Sequence, residues 1–393
     1  MIGICIKYYH ENYGGMLQAF ATTKILEKRN ISYEIVRYKK EKNLKFIIKS
    51  IPRIFNNVLI NDKYEAIQKK VSLKVHPKLK KNNEIRMEAF KRFREKNFKK
   101  LSEINYGYIN LCKNSKKYEA VLTGSDQLWS PAGLPTNFYN LMFVDKDIKK
   151  ISYASSFGVK DIPWYQKKRT AEFLNRMDFI SMRENSGKKI VKELTGKDVP
   201  VVLDPVFLLN KEEWDTLIEN KNIYNEKYIF AYFLGNNIEY RKNVEKFAKL
   251  LNLKIVTLRH LDQYIEYDEH FGDYAPYDVE PSDFLNLIRN AEYIFTDSFH
   301  GSVFSIIYNK QFLVFNRYSD KSKHSKNSRI TTLCENLGIN NCRFSGDVTQ
   351  IIDKPIIYDG IPEKIQYLKR QSEKYMWEKI FFRENIMRKT MER

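Results

Sequence analysis

The sequence has no run of about 18 apolar residues, which excludes an ordinary transmembrane helix. Cysteine is scarce, and Cys5, Cys112, Cys334 and Cys342 show no CxxC spacing. Neither a disulfide framework nor a zinc site is therefore indicated, and no His/Asp/Glu cluster has metal-ligand spacing. GxGxxG, GxxxxGK[ST] and GxSxG are all missing, which removes the fingerprints of a dinucleotide fold, a P-loop and an acyl-transfer serine. Internal repeats and low-complexity stretches are lacking too. The opening MIGICIKYYH lacks the basic and apolar blocks of a signal peptide and reads directly as a buried strand. A reducing cytoplasm is the expected setting.

What is present is a chain of 393 residues, 43% hydrophobic and 30% charged. That composition is globular and the length suits two or three domains. The formal net charge is +20, from 68 Lys and Arg against 48 Asp and Glu. Between Lys39 and Lys100 there are 20 basic residues against 6 acidic ones, so this one window carries most of the excess. Such a window favours an anionic partner, namely nucleic acid, a membrane surface, or a phosphorylated or carboxylated small molecule. Biased codon usage in a Lys-, Asn- and Ile-rich chain accounts for it equally.

Short apolar runs alternate with helical sequence throughout. Ile2–Ile6, Ser32–Val36, Ala120–Thr123, Ile151–Ala154, Phe179–Met182 and Val201–Leu203 read as strands of a first domain, with a helix from Met16 to Arg29. The basic window, 39–100, reads as a helical insertion. Tyr228–Phe233, Lys254–Leu258, Tyr293–Thr296 and Phe312–Phe315 read as strands of a second domain. Ser282–Asn290 and Gly301–Asn309 are its helices, the first capped by Ser282. Pro362 to about Arg388 is one long helix. The expected fold is α/β: two Rossmann-like, doubly wound parallel-sheet domains, 1–205 and 206–360, facing a cleft. A C-terminal helix, 361–393, returns to the first domain. Ligands belong at the carboxyl ends of the strands, between the domains.

Polar motifs sit at those strand ends. His10-Glu11-Asn12-Tyr13-Gly14-Gly15 is a glycine loop before the first helix, where Asn12, Gly14 and Gly15 let backbone approach an anion. A tight turn without a ligand explains the same residues. Gly124-Ser125-Asp126-Gln127 offers hydrogen-bond partners for sugar hydroxyls, or merely a capping turn. Arg183, at the end of Phe179–Met182, presents a planar fork suited to carboxylate or phosphate, or else pairs with Glu184 or a helix C-terminus. The most informative stretch runs from Tyr293 to Gly301, where a strand ends in Asp297, Ser298 and His300. A histidine exposed there to the cleft, near a positive helix end, can give or take a proton near neutral pH. Lys321 and Arg329 place further cations after the next strand.

Taken in order, NYGGMLQAFAT, LTGSDQLWS, YASSFG, MRENS, LDPVFLL and TDSFHGSVFSIIYNKQFLVF resemble the polysaccharide pyruvyl transferase family. The resemblance implies a GT-B-like fold and transfer of pyruvate from phosphoenolpyruvate to hydroxyls of a hexose in a cell-surface polysaccharide or its lipid-linked precursor, forming a ketal. It implies no cofactor beyond phosphoenolpyruvate as co-substrate. It makes His300 the catalytic histidine, with Arg183 and Lys321 at the donor. Ser298, Arg329 and the 12–15 loop are further donor candidates, and Gly124–Gln127 face the acceptor. Where the better-understood members carry Arg-Leu-His this chain has Ser298-Phe299-His300, a version that large branches of the family share, so family membership stands while one expected anion contact of the donor is missing.

A GT-B glycosyltransferase using a nucleotide sugar is the alternative on the same fold, since fold does not fix function. A nucleic-acid partner is not expected, because no recognised nucleic-acid motif occurs. Finally, apolar residues from Leu44 to Leu59 recur at three- and four-residue spacing beside Lys39, Lys40, Lys42, Lys45, Lys49 and Arg53. This is either a core-packing helix, kinked by Pro52, or a segment resting on the anionic inner face of the cytoplasmic membrane.

Overall fold

The computed structural model describes residues 1–41, 57–131, 137–219, 224–317 and 328–380. Six parallel strands form the first sheet: β1 Ile2–Cys5, β2 Tyr33–Lys39, β3 Leu101–Tyr106, β4 Ala120–Gly124, β5 Lys149–Ser155 and β6 Phe179–Met182. Their order is β3-β2-β1-β4-β5-β6. The central strands β1 and β4 are short and buried along their whole length, as parallel strands covered by helices on both faces are. The winding reverses between β1 and β4, which leaves a crevice between the loops that follow those two strands.

A second sheet holds β7 Tyr228–Tyr232, β8 Lys254–Thr257, β9 Tyr293–Thr296 and β10 Gln311–Val314, all parallel, in the order β10-β9-β7-β8. Its reversal lies between β7 and β9. The two expected parallel-sheet domains are thus present, each with one switch point.

Helices cover both sheets. Before residue 200 these are α1 Tyr13–Lys28, α2 Asn57–Val75, α3 Pro77–Asn97, α4 Tyr108–Ser115, α5 Trp164–Arg176 and α6 Asn185–Thr195. After it come α7 Lys211–Asp215, α8 Ile238–Leu251, α9 Pro281–Asn290, α10 Phe299–Ile307, α11 Ser328–Leu337, α12 Gln350–Asp353 and α13 Ile361–Ile380.

Local chemistry moves several boundaries from their expected places. The α1 helix starts three residues early because the Asn12 side chain caps it, accepting from Gly15 N at 2.8 Å. Gly14 and Gly15 are therefore helical, not loop. Ser298 caps α10 in the same way, accepting from Gly301 N, which puts His300 in the first turn. The α9 helix is capped by Glu280 and Asp283 reciprocally, with Pro281 in its first turn, and not by Ser282. Val201–Leu203 is not a full strand: it makes a single bridge, Met182 to Val201, alongside the edge strand β6. The edge strand β3 escapes the apolar reading because Ser102, Glu103 and Asn105 break its run.

Three elements tie the halves together. Tyr13 of α1 stacks on Phe284 of α9 at 4.8 Å and donates to the Val279 carbonyl at 3.1 Å. The insertion hairpin α2–α3 reaches the second domain through Lys69–Asp262 at 2.7 Å, Lys78–Glu269 at 2.9 Å, and Arg92 with Asp278 and Glu280. Arg86 adds bonds to the carbonyls of Pro276 and Tyr277. The last described helix, α13, lies on the first domain: Leu203 N donates to Ser372 Oγ at 3.0 Å, and Tyr375 OH donates to the Ile180 carbonyl at 2.6 Å. Of the apolar stripe read from Leu44 to Leu59, residues 44–56 lie outside the described residues.

Candidate functional site

Both switch points open onto the same seam. From the first domain come the start of α1, the turn after β4 and the β6–α6 junction. From the second come the start of α10 and the start of α11. His300 is not exposed to the cleft as the sequence suggested. It is 6% accessible, because the first turn of α1 lies over its ring. A Cβ added at Gly14 would stand 2.1 Å from Nδ1 of His300, so only glycine lets the helix and the imidazole meet.

Beneath that contact is a carboxylate the sequence reading passed over as a domain boundary. Asp204 is fully buried. It accepts from Arg183 Nη1 at 2.7 Å and from Ser125 Oγ at 2.8 Å, and its Oδ2 lies 3.6 Å from Nε2 of His300. The last distance is ion-pair reach, too long for a hydrogen bond. Burial pushes the Asp204 carboxyl up, but His300 and Arg183 outweigh it and hold it well below the usual carboxylate range.

Arg183 therefore does not aim its whole fork at the cleft. One nitrogen is committed to Asp204, while Nε lies 3.8 Å from Glu184. Its Nε and Nη2 have no hydrogen-bond partner among the described residues, and neither has Arg329 Nε. Both guanidiniums rest on the ring of Phe299, at 4.8 Å for Arg183 and 5.4 Å for Arg329. Burial and the charge of Arg183 both lower the Arg329 pKa, while those of Glu184 and Asp126 oppose them. Glu184 is buried, accepts from Ser156 Oγ at 2.8 Å, and has its carboxyl raised by that burial against the pull of both arginines.

The turn after β4 is strained by design of its neighbours. Gly124, Ser125 and Asp126 all have positive φ, and a Cβ at Gly124 would stand 1.8 Å from the Tyr153 carbonyl. The strain rotates Ser125 inward to Asp204 and leaves Asp126 half-buried at the seam. Asp126 lies 3.6 Å from Lys7, which follows β1. Burial would raise its carboxyl, but Lys7, Arg183, His300 and Arg329 together hold it low. Gln127 packs against Gly158.

Of the expected site residues, the structure gathers Gly14, Gly15, Ser125, Asp126, Arg183, His300 and Arg329 around one point. Asn12 and Ser298 are engaged as helix caps, Gly124 as a backbone fit, and Lys321 lies outside the described residues. Asp204, Lys7 and Phe299 were missed. A buried Asp before Pro205, inside an apolar run, was the available signal for the first. Asp297 serves structure: its carboxylate accepts from Leu234 N and Gly235 N at 2.7 and 2.8 Å, fixing the loop after β7. Among the described residues, no group of three or more His, Cys, Asp or Glu side chains is placed to hold a metal ion.

The arrangement offers a buried proton carrier, a cation pair with unmet N–H groups, and a half-exposed carboxylate, all on one seam. The model of the polysaccharide pyruvyl transferase family matches residues 12–319, a span that holds every gathered residue except Arg329. No curated protein matches the chain in sequence. Among solved structures, the S. aureus MnaA–UDP co-structure aligns with a TM-score of 0.51 at 13% identity, over 97% of this chain and 96% of that one. A crystal structure of UDP-N-acetylglucosamine 2-epimerase aligns at 0.50 and 12% identity, again over 97% and 96%. At such identities the likeness is one of fold, the two-domain GT-B arrangement.

Proposed function

Because the chain belongs to the polysaccharide pyruvyl transferase family, a family of transferases, we propose that it moves pyruvate from phosphoenolpyruvate to a saccharide. The acceptor is a hexose diol in a cell-surface polysaccharide or its lipid-linked precursor. The donor lies in the seam, its carboxylate and phosphate against Arg329 and the free nitrogens of Arg183, close to the N-terminus of α1. His300 carries the proton, either to the enol methylene carbon or from the attacking hydroxyl. Asp126 accepts a hydrogen bond from the acceptor. Attack on carbon 2 and departure of phosphate leave a carbon that the second hydroxyl closes into a ketal.

One observation carries this reading. Two guanidiniums are held on one ring with buried N–H groups unmet, a set of donors that a small dianion would satisfy. Their placement beside a histidine gives that dianion a proton carrier.

The test is direct. Purified protein, phosphoenolpyruvate and candidate oligosaccharides should release phosphate and give a product heavier by one ketal-linked pyruvate. A parallel reaction with a UDP-sugar should release no UDP. Release of UDP with phosphoenolpyruvate untouched would replace the reading with glycosyl transfer.

A further inference from the structure

Among the described residues, the α2 helix presents an exposed apolar row. Ile60, Tyr64, Ile67, Val71 and Val75 are between 46% and 63% exposed. At 3.6 residues per turn they fall within an arc of about 80°. Isolated exposed apolar side chains are ordinary, but a row over four turns of one helix is a surface with a purpose. The opposite side is already occupied. Lys69 pairs with Asp262, Ser72 Oγ accepts from Tyr264 N at 3.5 Å, and the His76 ring at the helix end stacks on Tyr264 at 3.6 Å. These contacts pin α2 to the second domain and turn the row outward.

Charge identifies what the row meets. Lys63, Lys70 and Lys74 are exposed and lie within about 60° of one edge of the row. None of them pairs with a described acidic residue. Apolar residues bordered by lysines are the pattern of a helix that lies in a membrane interface, its apolar side among acyl chains and its ammonium groups at headgroup phosphates. A second copy of this chain fits less well, because its own basic insertion would be brought against this one. No described helix is long and apolar enough to cross a membrane, so a contact of this kind is with one leaflet only.

We propose that the outward face of α2, Ile60 to Val75 with Lys63, Lys70 and Lys74, docks on an anionic lipid surface. The inference is independent of the reaction in the cleft.

Flotation of the full chain tests it, with vesicles of phosphatidylcholine alone and of phosphatidylcholine mixed equally with phosphatidylglycerol. The protein should float at least about tenfold better with the anionic vesicles and lose that advantage as salt shortens the screening length. Ile67→Glu and Val71→Glu should each remove about tenfold of the binding. Leu250→Glu, an exposed position on α8, should change nothing. If the glutamate variants fail to fold by circular dichroism, the Lys63→Gln, Lys70→Gln, Lys74→Gln triple variant decides, since it leaves the apolar row untouched and should weaken only the anionic binding. Equal flotation with both vesicles, no flotation, or full binding by the triple variant overturns the proposal. So does a concentration-dependent dimer in sedimentation that Ile67→Glu abolishes, which would make the face a contact between copies.

Discussion

Two seams join the domains, and they use charge in opposite ways. In the inner seam, where His300 of the second domain meets Asp204, Arg183 and Ser125 of the first, the groups are closed off from water and one carboxylate answers to several partners at once. In the outer seam, Arg92, Lys69 and Lys78 reach across from the insertion to Asp278, Glu280, Asp262 and Glu269, and these pairs are largely solvated. A solvated pair gains little, because water serves each ion nearly as well as its partner does. A buried ion has no substitute, so removing one leaves the others stranded. The inner seam therefore fixes geometry, while the outer one adds reach and adhesion that can be altered piecemeal.

The sharpest way to break this contrast is Asp204→Ala. It strands Arg183 beside His300 and should cost about 3–5 kcal/mol of stability, read from urea melts. A loss no larger than that from an outer-seam variant would erase the distinction between the seams.

His300→Ala comes next. It should lower turnover by about 10²–10⁴-fold, the usual worth of a positioned proton carrier, when assayed under conditions where the variant is fully folded. Near-normal phosphate release would leave the inner seam a structural joint and nothing more.

Asp204→Asn sharpens the comparison through pH. In the folded protein the carboxyl lies below its unfolded value of about 3.9. Its stabilisation is thus fully present above that value and is lost as pH falls toward the folded one. Urea melts between neutral pH and about pH 3 should show wild type and variant furthest apart at the upper end and converging in acid. A constant gap would mean that the charge of Asp204 does not stabilise the fold.

The smallest effect belongs to Arg92→Ala in the outer seam, at most about 1 kcal/mol, and less in high salt. A loss of several kcal/mol, insensitive to salt, would show that seam to be as unforgiving as the inner one.

What the sequence disclosed follows the same division. Strand after strand was legible because parallel strands buried on both faces are short apolar runs ending in polar residues. The switch-point motifs were legible for the same reason. Ser125, Asp126 and His300 fall where strands stop, and strand ends are where ligands bind in such sheets. The role of Asp204 was not legible, because it depends on Ser125 and Arg183 arriving from distant parts of the chain. The cover over His300 was hidden likewise, since it comes from a helix of the other domain. Lys-rich sequence marked the insertion as basic and helical. Which face of α2 would be left bare depended on what the second domain offered its other side.

The fit of Gly14 over His300 has a practical meaning for exchanging domains between related chains. With a Cβ at position 14 standing 2.1 Å from the ring, the permitted size of a residue in the first half is dictated by a side chain in the second. The halves are consequently not interchangeable parts. A chimera cut at the convenient boundary beyond Pro205 can fold well on both sides and still fail to close, if the incoming first half carries anything larger than glycine there. Positions 14 and 300 have to travel as a pair.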